Sequence, residues 1–329
     1  MSSFVKIVLD TKGADKGPAE LIRGGAAALA KYPSLILVLV GDEPFMREEC
    51  TSLCMPMDRV ELIHAPDGIT NYDNPMEAVF TKPESSMIKT VTALADREDL
   101  FGMISAGNTG ALLASALRHL SGKDRVRPAM AAVLPAADGS FTCLLDTGAT
   151  VDCDARTLLH FAHLGTAFMR DMYGVSSPRV GLLSNGAEPT KGNRVVKEAH
   201  LLLKEAEGIH FIGNVEGNRA LSGDCDVLVC DGFAGNQVLK VTEGTATRII
   251  TDAVRYSKKT GNASIMELVG HLMGIYDISA LGGGIILGCA KPVIKARGSA
   301  TDKTVVSTVG MLMNMAENRA LFDPTKNTI

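Results

Sequence analysis

The sequence predicts an α/β fold built on a mostly parallel sheet. Three observations lead there: short apolar runs suited to buried strands recur along the chain, most end in Gly, Asn, Asp or Ser, and several open directly into a helical pattern. Strands covered on both faces read as continuous apolar runs, which is the texture of a parallel sheet between helices. Loops at the carboxyl ends of neighbouring parallel strands converge, so the repeated small polar loops predict a shared cleft.

Taken in order, Val5 to Leu9 is the first strand, and it leads through Asp10-Thr-Lys-Gly-Ala-Asp-Lys-Gly-Pro18 into an Ala-rich helix from Ala19 to Lys31. Leu35 to Val40 and Val60 to Ile63 are strands ending at Gly41-Asp42 and His64-Ala-Pro66, and Asn74-Pro75 reads as a helix start. Leu100 to Ile104 ends in Ser105-Ala-Gly-Asn-Thr-Gly110 before a helix over Ala111 to Leu120. Ala129 to Leu134 and Thr142 to Leu145 flank a loop short enough for an antiparallel hairpin. The second of these runs into Asp146-Thr-Gly-Ala-Thr-Val-Asp152 and a helix from about Ala155 to Met172.

The central stretch is Arg179 to Val195, an apolar strand followed by a glycine-punctuated polar loop with one lysine, Lys191, and then a helix. Ile209 to Ile212 and Val227 to Cys230 are strands expected to open into the loops Gly213-Asn-Val-Glu-Gly217 and Asp231-Gly-Phe-Ala-Gly-Asn236. Helical spacing over Gln237 to Tyr256 and Ile265 to Tyr276, with the turn Lys258-Lys-Thr-Gly-Asn262 between, predicts a helical hairpin at about 237–277. Leu281 to Gly288 and Pro292 to Ala296 complete the sheet, Arg297-Gly-Ser-Ala300 is its last strand-end loop, and Val305 to Ala316 is the closing helix. No repeat or linker interrupts the chain, so one α/β domain over 1–329, with the hairpin as an excursion, is expected.

Composition narrows the function. At 329 residues, with 46% hydrophobic and 21% charged residues, the chain is ordinary globular material. A net charge of -4, no Trp and 5% aromatics argue against nucleic acid, which needs a basic footprint and stacking platforms. Seven irregularly spaced cysteines do not form a disulfide framework and predict a reducing compartment. The start of the chain lacks the pattern of a secretory signal, and no apolar run approaches the roughly 18 residues of a membrane span. A cytoplasmic protein is expected, with lying on a membrane surface still open.

The familiar nucleotide signatures are missing, as is the Gly-x-Ser-x-Gly of a hydrolase. His160 and His163 stand i, i+3 on a predicted helix, a spacing that matches no specific zinc pattern, so no metal is expected. Cys225 and Cys230 read as small core residues and His64 as a surface or capping group. What remains is a cleft with Asn108, Asn185, Lys191, Asn193, Asn214 and Asn236, which suits binding an anion and stabilising an oxyanion. Acyl transfer to inorganic phosphate needs little more. Phosphate attacks a thioester without prior deprotonation, and a thiol of pKa about 8.5 leaves as thiolate. Solvated turns and helix caps are the plainer reading of the same residues.

Several segments carry a resemblance: Ser105-Ala-Gly-Asn-Thr-Gly-Ala-Leu112, Leu144 to Cys153, Pro178 to Leu183, Thr190-Lys-Gly-Asn193, Phe211 to Gly217 and Val229 to Asn236. Together, in order and over nearly the whole chain, they resemble the bacterial phosphate acyltransferases of phospholipid synthesis, the PlsX family. The resemblance implies a three-layer fold like that of isocitrate and isopropylmalate dehydrogenases, with a protruding helical hairpin. It implies a homodimer, and a reaction of acyl-[acyl carrier protein] with phosphate giving acyl phosphate and free carrier protein. No cofactor is implied, and a glycerol-3-phosphate acyltransferase is the downstream partner.

The family's lysine and asparagine fall on Lys191 and Asn236, the expected catalytic pair. The expected phosphate- and substrate-binding set is Asp10, Gly13, Ser105, Asn108, Thr109, Gly110, Asp146, Asn193, Asn214, Asp231, Gly235 and Arg297. The chain departs from the family's loops at Asp10 to Lys16, Ser184 to Glu188 and Arg297 to Ala300, adding cations at Lys12, Lys16 and Arg297. Arg248, Arg255, Lys258 and Lys259 form a candidate basic patch for an acidic carrier protein. Ile265, Met266, Leu268 and Val269 could pack in the dimer or touch a membrane. Other readings stay open: a related subunit acting on short acyl thioesters, a dehydrogenase of similar fold, and a non-catalytic scaffold.

Overall fold

The computed structural model describes residues 4–121, 127–276 and 283–317. Along the chain the elements are β1 (Val5–Asp10), α1 (Pro18–Lys31), β2 (Leu35–Gly41), α2 (Glu43–Ser52), β3 (Val60–His64), α3 (Pro75–Thr81), α4 (Ser86–Asp96), β4 (Leu100–Ser105) and α5 (Thr109–His119). They continue with β5 (Ala129–Pro135), β6 (Phe141–Leu145), α6 (Ala155–Tyr173), β7 (Arg179–Ser184), α7 (Arg194–Glu205), β8 (His210–Glu216), β9 (Val227–Val229), α8 (Gly232–Thr260) and α9 (Ser264–Tyr276). The last are β10 (Gly283–Leu287), β11 (Val293–Ala296) and α10 (Asp302–Glu317). The expected start of the tenth strand at 281–282 and the end of the hairpin at 277 lie outside the described residues. The chain divides into two compact units, Met1–Ala129 with Gly282–Ile329, and Met130–Leu281.

In the first unit the strands run in the order β3-β2-β1-β4-β11-β10. Every pairing is parallel except β10 with β11. Alternation along the strands sends side chains to two helical layers. Val8, Val38 and Val40 join Met87, Val91 and Leu112 of α4 and α5 in one core. Leu37 and Leu9 point the other way, where Leu37 comes within 2.7 Å of where a Cβ on Gly25 of α1 would stand. Helix α10 packs beside α1 on that face.

Helices α2 and α4 add to the expected pattern. In α2 only Met46 and Cys50 are buried, an i, i+4 pair too sparse to read as a stripe, and Asp42 fixes its start by accepting from Phe45 N at 3.1 Å. In α4 the buried set includes Ser86 and Thr90, whose polarity hides the apolar face.

In the second unit the order is β5-β6-β9-β7-β8, parallel except for the β5–β6 hairpin. Leu144, Leu228 and Cys230 face Ala234, Val238 and Leu239 of α8, while Val227 and Leu145 face α6 at Gly165. Each unit is therefore a helix–sheet–helix stack.

Two expected loops are regular structure. The segment from Gly213 to Glu216 continues β8, because a register shift beside Val180 and Gly181 keeps the ladder paired, so Asn214 sits opposite Leu182. The segment from Gly232 to Asn236 is the opening of α8, where Asp231 caps the helix by accepting from Ala234 N at 2.7 Å. Asn236 is thus a helical residue rather than a loop one. The expected hairpin is present: Gly261, at φ 68°, ends α8 in the left-handed region, and α9 packs back along it.

Candidate active site

In the first unit the expected residues gather at the carboxyl ends of the adjacent parallel strands β1, β4 and β11. Asp10 closes β1 and is 1% exposed. Its Oδ1 accepts from Ser86 Oγ at 2.7 Å and Lys12 N at 3.1 Å, and its Oδ2 accepts from Ser105 Oγ at 2.7 Å. Ser105 Oγ in turn accepts from Gly107 N at 3.2 Å. Burial pushes the Asp10 carboxyl up, opposed by the Ser105 and Ser86 hydrogen bonds and by the charge of Lys295. Lys295, 9% exposed, donates to the carbonyls of Ala106 and Ala296. Asp10 and Ser105 thus act as struts beneath the loops.

Asn108 caps α5 through Ala111 N at 3.1 Å and donates to Thr70 O at 3.1 Å, placing Thr109 and Gly110 in the first turn of that helix. Gly13 has φ 88°, and a Cβ there would overlap Gly107, so the first and fourth strand-end loops touch backbone to backbone. Lys12 donates its ammonium to Pro66 O, Lys16 is exposed, and Arg297 is half-buried at the end of β11, where Gly298 O accepts from Asp15 N at 2.8 Å.

The second unit holds a parallel construction around Asp146, which is fully buried. Oδ1 accepts from the backbone N–H groups of Met130, Gly148 and Ala149 at 2.9, 3.2 and 3.1 Å, and Oδ2 from Thr150 N at 2.6 Å. Burial raises this carboxyl and the four N–H donors oppose the rise. Helix α8 is pressed onto the same loop: Gly232 N donates to Thr150 O at 2.8 Å, and a Cβ on Gly235 would overlap the Asp146 carbonyl oxygen and lie 2.7 Å from Cys230 Sγ. Asn236 is half-buried, with its Cβ 4.0 Å from where a Gly148 Cβ would stand, and its side-chain amide has no hydrogen-bond partner among the described residues.

Lys191 rides on the loop between β7 and α7. It is exposed, its stem lies over Gly186, and its ammonium has no ion pair or hydrogen bond among the described residues. The loop is tied by Asn185 Oδ1, which accepts from Gly192 N at 2.8 Å, and by Asn193, which caps α7 through Val196 N at 2.9 Å. Asn214 lies underneath, 8% exposed, donating to Glu188 O at 2.9 Å and meeting His200 Nδ1 at 2.9 Å. It is a buried tie, where an open strand-end loop was expected.

A cleft of about 660 Å³ opens in this unit between the 184–193 loop and the start of α8. Leu158, Leu182, Val195, Val196, Phe233 and Val238 make its walls apolar, and Ser184, Asn185, Asn193, Asp231 and Gln237 supply the polar lining. Of the expected residues Asn185, Asn193 and Asp231 line it directly, while Lys191 and Asn236 are each one residue from a lining position, Gly192 and Gln237. Apolar walls with a few converging polar groups are the usual make-up of a small-molecule site. Sequence reading passed over Ser184, whose buried hydroxyl has no partner among the described residues, and His200, Ser86 and Lys295, which lie in helical or strand patterns with nothing local to mark them.

Among the described residues no group of three or more His, Cys, Asp or Glu side chains is placed to hold a metal ion. Burial lowers both His160 and His163. Burial also pushes the Cys225 thiol up to about 12 and Cys230 well above its usual value, in keeping with core cysteines. His64 Nδ1 accepts from Glu43 N at 3.2 Å, a capping contact. Among the described residues no helix is long and apolar enough to cross a membrane.

The chain matches the family described as "Fatty acid synthesis protein" over residues 5–321. It is 38% identical over 324 residues to a phosphate acyltransferase of Thermoanaerobacter pseudethanolicus, covering 96% of this chain and 95% of that one. Among solved structures it is similar to a phosphotransacetylase from Streptococcus pyogenes, with TM-score 0.64, 16% identity and coverage of 96% and 94%. It is also similar to a 4-hydroxythreonine-4-phosphate dehydrogenase from Klebsiella pneumoniae, with TM-score 0.56, 15% identity and coverage of 95% and 100%. At such identities the two structures speak to fold alone.

Proposed function

The chain belongs to the fatty acid synthesis protein family and is a phosphate acyltransferase, and from that premise we propose that its donor is an acyl-[acyl carrier protein] and its product an acyl phosphate for phospholipid synthesis. A phosphate oxygen attacks the thioester carbonyl, the C–O bond forms as the C–S bond breaks, and the carrier protein leaves as thiolate. Lys191 engages phosphate and the developing oxyanion, and Asn236 orients the phosphate or the thioester carbonyl. The observation that carries this reading is the pairing of an unpartnered ammonium with an apolar cleft whose polar lining includes the capped starts of α7 and α8. Helix N-termini favour anions, and the apolar walls suit the acyl chain. Asp10, Ser105 and Asp146 hold the loops, while Asn193 and Asp231 set the helix starts that face the cleft.

In the same reading residues 1–329 act as one acyltransferase domain of the isocitrate dehydrogenase-like class, working as a cytoplasmic homodimer. Val241, Ile249, Met266 and Leu268, all exposed on α8 and α9, supply an apolar face for the dimer or for a peripheral membrane contact. The acidic carrier protein would meet the hairpin's basic residues. Arg248 and Arg255 share Asp252 at 2.6 and 3.1 Å, and that leaves Lys258 and Lys259, in the last turn of α8, as the stronger attractors. The acyl phosphate passes to a glycerol-3-phosphate acyltransferase.

The test is phosphate-dependent release of free carrier-protein thiol from palmitoyl-[acyl carrier protein], compared with Lys191→Ala. Loss of one charge-assisted hydrogen bond predicts a fall of roughly ten- to a hundredfold in turnover with the melting midpoint unchanged. Full activity in the variant would remove Lys191 from the mechanism. Release from acetyl thioesters alone would overturn the long-chain donor.

A further inference from the structure

We infer that His200 is a positioning residue that sets the place of Lys191 through Asn214, an inference that rests on Lys191 being the group that engages phosphate. Glu188 O receives two donors, Asn214 Nδ2 at 2.9 Å and Lys191 N at 3.0 Å. A carbonyl only accepts, so Asn214 turns its NH₂ to Glu188 and its Oδ1 to His200. That assignment fixes the proton on His200 Nδ1, which then donates to Asn214 Oδ1 at 2.9 Å.

The path therefore runs from the α7 imidazole through the β8 amide to the turn that carries Lys191. His200 and Asn214 are 7% and 8% exposed, and the imidazole is held edge-on against Phe211 with ring centroids 5.0 Å apart. Glu188, Pro189, Thr190 and Lys191 are all exposed, so the loop has little packing of its own and its position depends on ties such as this buried one.

The experiment compares His200→Leu, which removes the donor, with His200→Asn, whose side-chain amide places a donor near the Nδ1 position, and with Asn214→Asp, which cannot donate to Glu188 O. The readouts are amide hydrogen exchange at Lys191 and steady-state rates with inorganic phosphate and palmitoyl-[acyl carrier protein]. Loss of one buried hydrogen bond predicts that His200→Leu and Asn214→Asp speed exchange at the Lys191 amide about fivefold to tenfold and lower kcat/KM for phosphate by a similar factor, with KM for the thioester unchanged. His200→Asn should stay within about twofold of the parent on the same scale. In a Lys191→Ala background His200→Leu should cause no further loss, because its effect runs through the missing ammonium.

Unchanged exchange at Lys191 in both His200→Leu and Asn214→Asp would overturn the inference. An undiminished effect of His200→Leu in the Lys191→Ala background would do the same. Should Lys191→Ala prove fully active, the proposed role of Lys191 fails on its own account, while the exchange measurement still judges whether His200 positions the loop.

Discussion

Replacing Asp146 by Asn tests whether this carboxylate works as a backbone clamp. Its Oδ1 gathers three N–H groups and its Oδ2 takes a fourth, from Thr150, at 2.6 Å. An amide keeps one oxygen, which the three-donor side would claim, so the NH₂ falls opposite Thr150 N. Backbone donors cannot reverse, so the part-buried Thr150 N–H is left without its partner at about 1–3 kcal/mol, and the three remaining bonds lose their charge assistance at roughly 0.5 kcal/mol or more each. Relief of the buried charge offsets part of this, for a net loss of about 3 kcal/mol. For a unit of this size that is roughly 6–12 °C in melting midpoint.

The control is Asp231→Asn. Asp231 makes a single capping bond to Ala234 N, and asparagine caps a helix as well as aspartate, so a change within about 0.5 kcal/mol is expected. Urea unfolding followed by circular dichroism measures both. Equal stability of the two variants would refute the clamp.

Gly235→Ala sets a Cβ onto the Asp146 carbonyl, a backbone group that cannot swing aside, and against Cys230 Sγ; a loss of at least about 2 kcal/mol in the same unfolding assay is expected, with a matching fall in thiol release. Hydrogen bonds from Lys82, then from Thr70, hold the Asp73 carboxyl down at about 2. Because the folded value lies below the ordinary 3.8, the stability it contributes is present above about pH 4 and is lost as pH falls towards 2. A carboxyl-carbon NMR titration should find its midpoint near 2, and one near 4 would contradict the Lys82 contact.

The order of strands and helices was largely legible in the sequence because each depends on local periodicity and on punctuation by Gly, Asn, Asp and Pro. The β5–β6 hairpin, the cap at Asn74 and the turn at Gly261 all stand where local residues place them. Where local cues point the wrong way, long-range pairing decides. Gly213-Asn214 reads as a loop, yet the bulged β7–β8 ladder holds it as strand; Gly232 to Gly235 reads as a turn, yet the Asp231 cap and the close approach to Asp146 hold it as helix.

The sequence by itself also supplied the candidates for the proposed site, since Lys191, Asn193, Asp231 and Asn236 are singled out by their place after strands and by the family resemblance. Only the tertiary structure divides the candidates by role. Burial and hydrogen bonding across many residues of separation turn Asp10, Ser105, Asp146 and Asn214 inward as struts. Asn193 and Asp231 line the cleft, with Lys191 and Asn236 beside it and free of partners among the described residues. His200 has no local signal at all, because what distinguishes it is a partner 14 residues further along the chain, on β8. The division follows from physics: a pattern in sequence encodes which face a residue occupies, but whether a polar group meets solvent or another group depends on what the rest of the chain brings against it.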